Sequence, residues 1–288
     1  MRADIDTPVL AQLNLRSLRN NKLVAVAIAV LSLIIFSAIF ADFVAPHEPY
    51  ATEISLRNSP PGTPSVDGGF PHILGTDALG RDVFSRIIFG GRISLAVGFL
   101  SVVVSGCLGF FLGLLCGYFG GKVDTVIMRL VDLQMSMPSL LIALLVLYVL
   151  GSSLLNVIFI LAVTRWMVYT RVTRGMMLTL REEPFVEASK ALGASPFRTI
   201  FRHMVPNLLG PIMVVATLEL AIMLLTEASL SFLGLGIQPP LSSWGLMLSQ
   251  GREYLTTAWW LVAMPGIAIL LTTLSVNLIA TWLRTSTR

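Results

Sequence analysis

Hydrophobic residues gather into six long stretches, separated by short charged segments and one long polar loop. Leu23–Ala41 is an uncharged run, and Ile93–Phe119, Val126–Leu150, Leu154–Val172, Leu208–Leu230 and Ala258–Leu283 follow it. A membrane-spanning helix needs roughly 20 apolar residues, so each stretch predicts one span. The third and fourth are divided by a local signal. Leu133–Thr164 carries no charge over 32 residues, too long for one span, and Gly151, Ser152 and Ser153 offer the turn of a hairpin. The first run exceeds the apolar core of a signal peptide, about 7–15 residues, and reads as an uncleaved anchor. Residues 42–92 form a polar loop with prolines at 46, 49, 60, 61 and 64. Inside it Val83, Phe84, Ile87 and Ile88 recur at helical spacing, which predicts a short amphipathic helix along the membrane surface or under the outer mouth. In the second span Gly109, Gly113 and Gly117 stand four residues apart, with Ser105 before them; such a strip lets another helix approach closely. Pro265 predicts a bend in the last span.

Composition agrees: 55% of residues are hydrophobic and 12% charged, where soluble domains carry about a quarter charged. The net charge of +4 does not point to nucleic acid, because the basic residues flank apolar runs. Six spans put both termini on one side. If that side is cytoplasmic, the inside segments hold 15 of the 20 Lys and Arg, and the reverse orientation inverts the positive-inside bias. The predicted order is a cytoplasmic segment 1–22, a first transmembrane helix 23–41, an extracytoplasmic loop 42–92, five spans within 93–283 and a cytoplasmic tail 284–288. Cys107 and Cys116 share one helix nine residues apart, on opposite faces, and cannot bond each other there.

The charge-bearing stretch EASKALGASPFRTIFRHMVPN, Glu187–Asn207, lies between two apolar runs and predicts two short helices joined by a tight turn, a helix–turn–helix over 183–205. Glu183 and Pro184 open the first, Gly193 closes it with a left-handed cap, and Ser195 and Pro196 start the second, which Pro206 limits. Catalytic motifs fail. The best approach to a phosphate-binding loop, CGYFGGKV, has Cys116 for the first glycine and Val123 where Ser or Thr must hold magnesium. His47–Glu48 lacks a second histidine four residues on, and His47, His72 and His203 lie far apart in sequence. No catalytic constellation is legible, and the chain alone is expected to hydrolyse nothing.

Glu187–Ala188, Gly193 and Pro206 resemble the cytoplasmic coupling motif of binding-protein-dependent ABC importer permeases, with Ser189 in place of a second alanine and His203-Met204-Val205-Pro206 as its ending. HILGTDALGRDVFSRIIFGGRISL (His72–Leu95) and SLSFLGLGIQPPLSSWGLML (Ser229–Leu248) resemble signatures of the C-type permease subunit of the dipeptide/oligopeptide/nickel transporter family. The chain departs at its end, which reads TWLRTSTR rather than a Gly-Asp-Gly-Leu-Arg-Asp type tail. The resemblance implies an all-α membrane protein of type I importer permease fold, with a cytoplasmic coupling helix between spans four and five. It implies a place in the cell inner membrane and four partners: a second permease, two cytoplasmic ATPases that carry the ATP and magnesium, and an external solute-binding protein. This chain then holds no cofactor or metal of its own. In that frame the coupling residues are Phe185, Glu187, Ala188, Ser189, Leu192, Gly193 and Ala194. Phe185, Ala188 and Leu192 recur as a docking face, and Ala188 and Gly193 are small enough to settle into a groove. Glu187 either reaches a partner or pairs with Lys190.

Polar residues within the spans are candidates for the translocation path: Asp132, Gln134, Arg165, Glu219 and Glu227, with Met223 on the arc between the two glutamates. Charges in lipid are costly, so they face protein or a watery cavity. A carboxylate lining suits a peptide amino terminus; the alternative is that Glu227 bonds a loop or a partner. Arg165 either meets a substrate carboxylate or snorkels to the boundary. Asp132 and Gln134 fall near an inter-subunit or gate region. A stand-alone secondary transporter is the competing reading, but the internal repeats typical of that class are not visible. The substrate stays open among di-, tri- and oligopeptides, glutathione and metal chelates.

Overall fold

A computed structural model describes residues 21–286; most of the predicted segment 1–22, with Arg2, Arg16 and Arg19, and Arg288 of the predicted tail lie outside the described residues. Among those described, the chain is helical, with only two isolated backbone bridges, Thr63 with His72 and Thr76 with Asp82. Five helical segments are long and apolar enough to cross a membrane, or six if one bent pair counts as a span. We label the helices α1 (Lys22–Ile39), α2 (Ala41–Val44), α3 (Val83–Phe119), α4 (Gly121–Met135), α5 (Ser139–Leu150), α6 (Leu154–Val163), α7 (Trp166–Leu180), α8 (Pro184–Ala191), α9 (Pro196–Arg198), α10 (Val205–Phe232), α11 (Trp244–Gly251) and α12 (Trp260–Ser286).

Three predicted elements change. The expected surface helix is the head of α3, whose 37 residues run unbroken from Val83. Asp82 starts it, its side chain accepting from the Ser85 N–H at 2.7 Å. Nothing stops it before Phe119, because Gly90 and Gly91 lie under the Trp244 ring instead of forming a turn. The third span is broken: α4 and α5 meet at 87° across Ser136, Met137 and Pro138. Proline disfavours the helical conformation in the residue before it, so the uninterrupted hydrophobicity of that region hid a bend. Finally, Pro206 does not limit the second elbow helix. Pro196–Phe232 is one apolar helical run, in which a wide π-type turn over Thr199–Met204 leads into α10 and Pro206 sits in that helix's first turn.

The glycine strip behaves as expected. Gly109, Gly113 and Gly117 are buried along α3, and α7 lies directly on them in the most extensive helix pairing of the bundle. A Cβ on Gly109 or Gly113 runs into the α7 backbone and its side chains Tyr169 and Thr173, and one on Gly117 into Met177. Lipid offers no hydrophobic gain for helix association, so this close packing supplies the attraction. The main core lies between α3, α5, α6 and α10, where Val97, Leu147, Leu161, Met223 and Leu230 are buried. A second cluster of Leu114, Met177, Val186, Ile200, Met204 and Leu208 sits at the opposite end of α3 from Val83. Segment 45–82 folds over the other end with little helix. Gly80 adopts φ +76 against the Glu53 backbone, where a Cβ has no room.

Candidate functional site

The elbow between α7 and α10 closes by local rules. Pro184 occupies the first turn of α8 after Glu183. Gly193 has φ +77, and two hydrogen bonds finish the cap: its N–H donates to the Lys190 carbonyl at 2.9 Å, and the Ala194 N–H to the Ser189 carbonyl at 3.1 Å. This is the Schellman arrangement, for which glycine is suited because it lacks a Cβ. Nothing lies within 4 Å of a Cβ built there, so the position requires glycine for its backbone angle, not for close approach within this chain. Ser195 then caps α9, accepting from the Arg198 N–H at 3.4 Å.

One side of α8 is anchored. Val186 is fully buried in the cluster with Met177, Ile200 and Met204, and Ser189 is 8% exposed with its hydroxyl 3.3 Å from that of Thr199. Ser189, grouped with the outward residues on sequence, therefore faces inward. Phe185, Glu187, Ala188, Leu192 and Gly193 are exposed, Leu192 at 88%, and Ala194 is half-buried. Lys190 reaches the Tyr118 ring, 5.7 Å from its centroid, in place of the expected bond to Glu187. The sequence reading missed two further exposed rings, Phe197 and Phe201, tilted at 36° with centroids 4.4 Å apart. Their i,i+4 spacing on a polar segment was the available signal.

The intramembrane candidates are mostly spent on contacts inside this chain. Arg165 stands at the break between α6 and α7 and donates through Nε and Nη2 to both carboxylate oxygens of Glu219, at 2.7 and 2.6 Å. This fork-to-fork pair joins α7 to α10, and Glu219 is 4% exposed. Arg165 therefore does not snorkel away. Glu227 is buried as well: Ser94 and Ser231 donate to its two oxygens at 3.3 and 2.8 Å, and the same hydroxyls accept the N–H groups of Trp244 and Ile237. That node ties α3, α10 and the 233–243 loop together. Met223 is fully buried in the core and lines no open surface here. Gln134 donates to the Val163 carbonyl and accepts from the Trp166 indole at 2.8 Å, holding α4 to the α6–α7 break. Asp132 alone of the set is exposed, paired with Arg171 at 2.6 Å.

A buried charge cluster at the opposite end of α3 from the elbow was not legible. Arg86, 3% exposed, is bound by Asp77, which also accepts from Arg81 at 2.8 Å, while Gln250 accepts from Arg86 at 3.1 Å. These residues line a cleft with Glu253 and Tyr254. Arg92 donates to the carbonyls of Ala38 and Ile39 at the end of α1 and to Asp42 at 2.9 Å.

Comparison with known proteins adds an independent line. Residues 109–288 match the model of the binding-protein-dependent transport system inner membrane component, and residues 10–61 that of the N-terminal TM domain of oligopeptide transport permease C. The chain is 40% identical over 270 residues to the di/tripeptide transport system permease protein DppC of Pseudomonas aeruginosa, covering 93% of this chain and 88% of that protein. It is 39% identical to the dipeptide transport system permease protein DppC of Alkalihalophilus pseudofirmus, with 93% and 86% covered, and 38% identical to the glutathione transport system permease protein GsiD of Pectobacterium atrosepticum, with 93% and 87% covered. In fold it is similar to a chain of the inward-facing MetNI methionine ABC transporter, at TM-score 0.57 and 19% identity over 70% of this chain and 97% of that one. A continuous glycine-lined bundle, a capped elbow before a long helix, and sequence identity along nearly the whole chain converge: this multi-pass membrane protein belongs to the family of binding-protein-dependent transport system inner membrane components.

Proposed function

We propose that this chain is one of two permease subunits in an ATP-driven importer of short peptides, lying in the inner membrane with both termini cytoplasmic. Two ATPase subunits bind ATP and magnesium and dock on the elbow, and an external binding protein delivers substrate to the 42–92 loop and the α10–α12 connection. The positive-inside bias supports the orientation, and the names of the relatives support the substrate class. The observation that carries the reading is the elbow itself. Phe185, Leu192, Phe197 and Phe201 present apolar surface on a segment anchored through Val186 and joined directly to the helical run Pro196–Phe232. Such surface on a rigid cap suits an interface, and a push there is passed along α10 toward the Arg165–Glu219 pair and Glu227.

The test is reconstitution in proteoliposomes with the second permease, the ATPases and the binding protein. Peptide uptake should require ATP, and a cysteine placed at Ala188 should cross-link to an ATPase. Gly193→Asp should leave ATP hydrolysis running while uptake falls. Peptide uptake by this chain alone, or cross-links from position 188 that reach only lipid or this same chain in an active preparation, would overturn the proposal.

A further inference from the structure

The histidines that sequence leaves far apart meet in space. His47 follows α2, and His72 lies on the backbone bridge with Thr63, its N–H donating to the Thr63 carbonyl at 2.8 Å. Their rings are perpendicular with centroids 4.4 Å apart. Asp82, the residue that starts α3, completes the group: His47, His72 and Asp82 each bring one potential ligand atom within 4.8 Å of the others.

The hydrogen bonds fix the tautomer of His72. Asp82 accepts at both oxygens, from the Ser85 N–H at 2.7 Å and from His72 Nδ1 at 2.9 Å. A carboxylate has no hydrogen to give, so Nδ1 carries a proton, and the neutral ring presents the lone pair at Nε2. That Nε2 is buried and without a hydrogen-bond partner, on a residue only 5% exposed, and the Nε2 of His47 is likewise buried and unpartnered. Leaving even one such atom unsatisfied costs about 1–3 kcal/mol. A carboxylate holding the far nitrogen of a buried imidazole is the arrangement that orients histidine ligands toward a metal. Ser85 links the two histidine segments: its N–H donates to Asp82, and its hydroxyl accepts the His47 backbone N–H at 3.1 Å.

We propose that His47 and His72 bind a divalent transition-metal ion of the zinc type through their Nε2 atoms, with Asp82 as the positioning residue for His72. Imidazole nitrogens suit zinc, nickel and copper rather than calcium or magnesium. Metal–nitrogen bonds of about 2.1 Å set tetrahedral donors about 3.4 Å apart, so binding requires the two perpendicular rings to turn until both Nε2 lone pairs converge. Water supplies the remaining positions. The ion pins the chain just after α2 to His72, which Asp82 holds to the start of α3, and so closes the 45–82 segment over the end of the bundle.

The experiment uses the full chain, purified in detergent without a polyhistidine tag, stripped with a chelator and titrated with Zn2+ at micromolar concentration. The expected result is one zinc per chain by elemental analysis, together with slower proteolysis of the 45–82 segment when zinc is bound. His47→Ala and His72→Ala should each weaken binding at least tenfold. Asp82→Asn, which keeps a helix-capping side chain, should weaken it about 10–100-fold. His203→Ala serves as the unaffected control. His47→Ala leaves the His72–Asp82–Ser85 bonds in place, so its metal-free helix content and melting should match the wild type and separate lost binding from lost folding. Absence of stoichiometric zinc on the wild type, or zinc that persists in both histidine variants, overturns the proposal.

Discussion

The two ends of α3 are built on opposite principles. At the Val83 end, polar groups are buried and bound to one another: Arg86 with Asp77, Asp82 with Ser85 and His72, Trp244 with the Ile87 carbonyl at 2.8 Å. At the Phe119 end, apolar groups are left outside: Leu192 is 88% and Phe197 69% exposed. The first end spends its chemistry on holding itself, the second on surface that its own chain does not cover. Substitutions at the first should therefore cost stability, and at the second should cost function with the fold intact.

The largest effect is expected at Asp77. Asp77→Ala strands the buried Arg86 guanidinium, and removing one partner of a buried pair typically costs about 3–5 kcal/mol; thermal unfolding of the detergent-solubilised chain should show it. A shift no larger than that of an exposed substitution would dissolve the contrast. Next comes Gly113→Leu, which forces α3 from α7 at Thr173, and overpacking costs about 1–3 kcal/mol or more. In the middle of the bundle, Glu219→Ala should destabilise by about 2–3 kcal/mol, an order expected for a charge-assisted bond lost from a buried group. Glu219→Leu combined with Arg165→Leu should recover most of that loss. A double variant as unstable as the sum of the singles would show that the pair acts through something other than each other.

The elbow gives the smallest stability effects and sharpens the comparison. Gly193→Ala should lose about 1–2 kcal/mol, because a Cβ is disfavoured at positive φ, although space around it is open. Leu192→Ser should change melting by less than about 0.5 kcal/mol, as exposed positions usually do, yet reduce peptide uptake at constant ATPase expression. Equal loss of melting and uptake in Leu192→Ser would place that side chain in the fold rather than at an interface.

Spans, the hairpin turn at Gly151–Ser153 and the caps at Pro184, Gly193 and Ser195 were legible because each rests on local rules: length of apolar run, turn residues, cap residues. What escaped depended on distant partners. The head of α3 reads as a separate amphipathic helix until Trp244 is seen covering Gly90 and Gly91. Pro138 in an otherwise smooth apolar run marked the bend, and hydrophobicity outweighed it. Glu219 and Glu227 stand out in sequence as charges costly in lipid, but their partners Arg165, Ser94 and Ser231 are set by how α3, α7 and α10 cross. The meeting of His47 with His72 is a product of the loop's folding, for which spacing in sequence holds no signal.

One feature of α3 bears on how the two ends communicate. Its 37 residues form a rod of about 55 Å, well beyond the roughly 30 Å of a hydrocarbon interior. Both the cluster under the elbow and the charged cleft are fastened to it. A lean of about ten degrees at one tip carries the other sideways by about 10 Å on that length, so a modest tilt set at the elbow end becomes a visible displacement at the Val83 end without any residue between having to change shape.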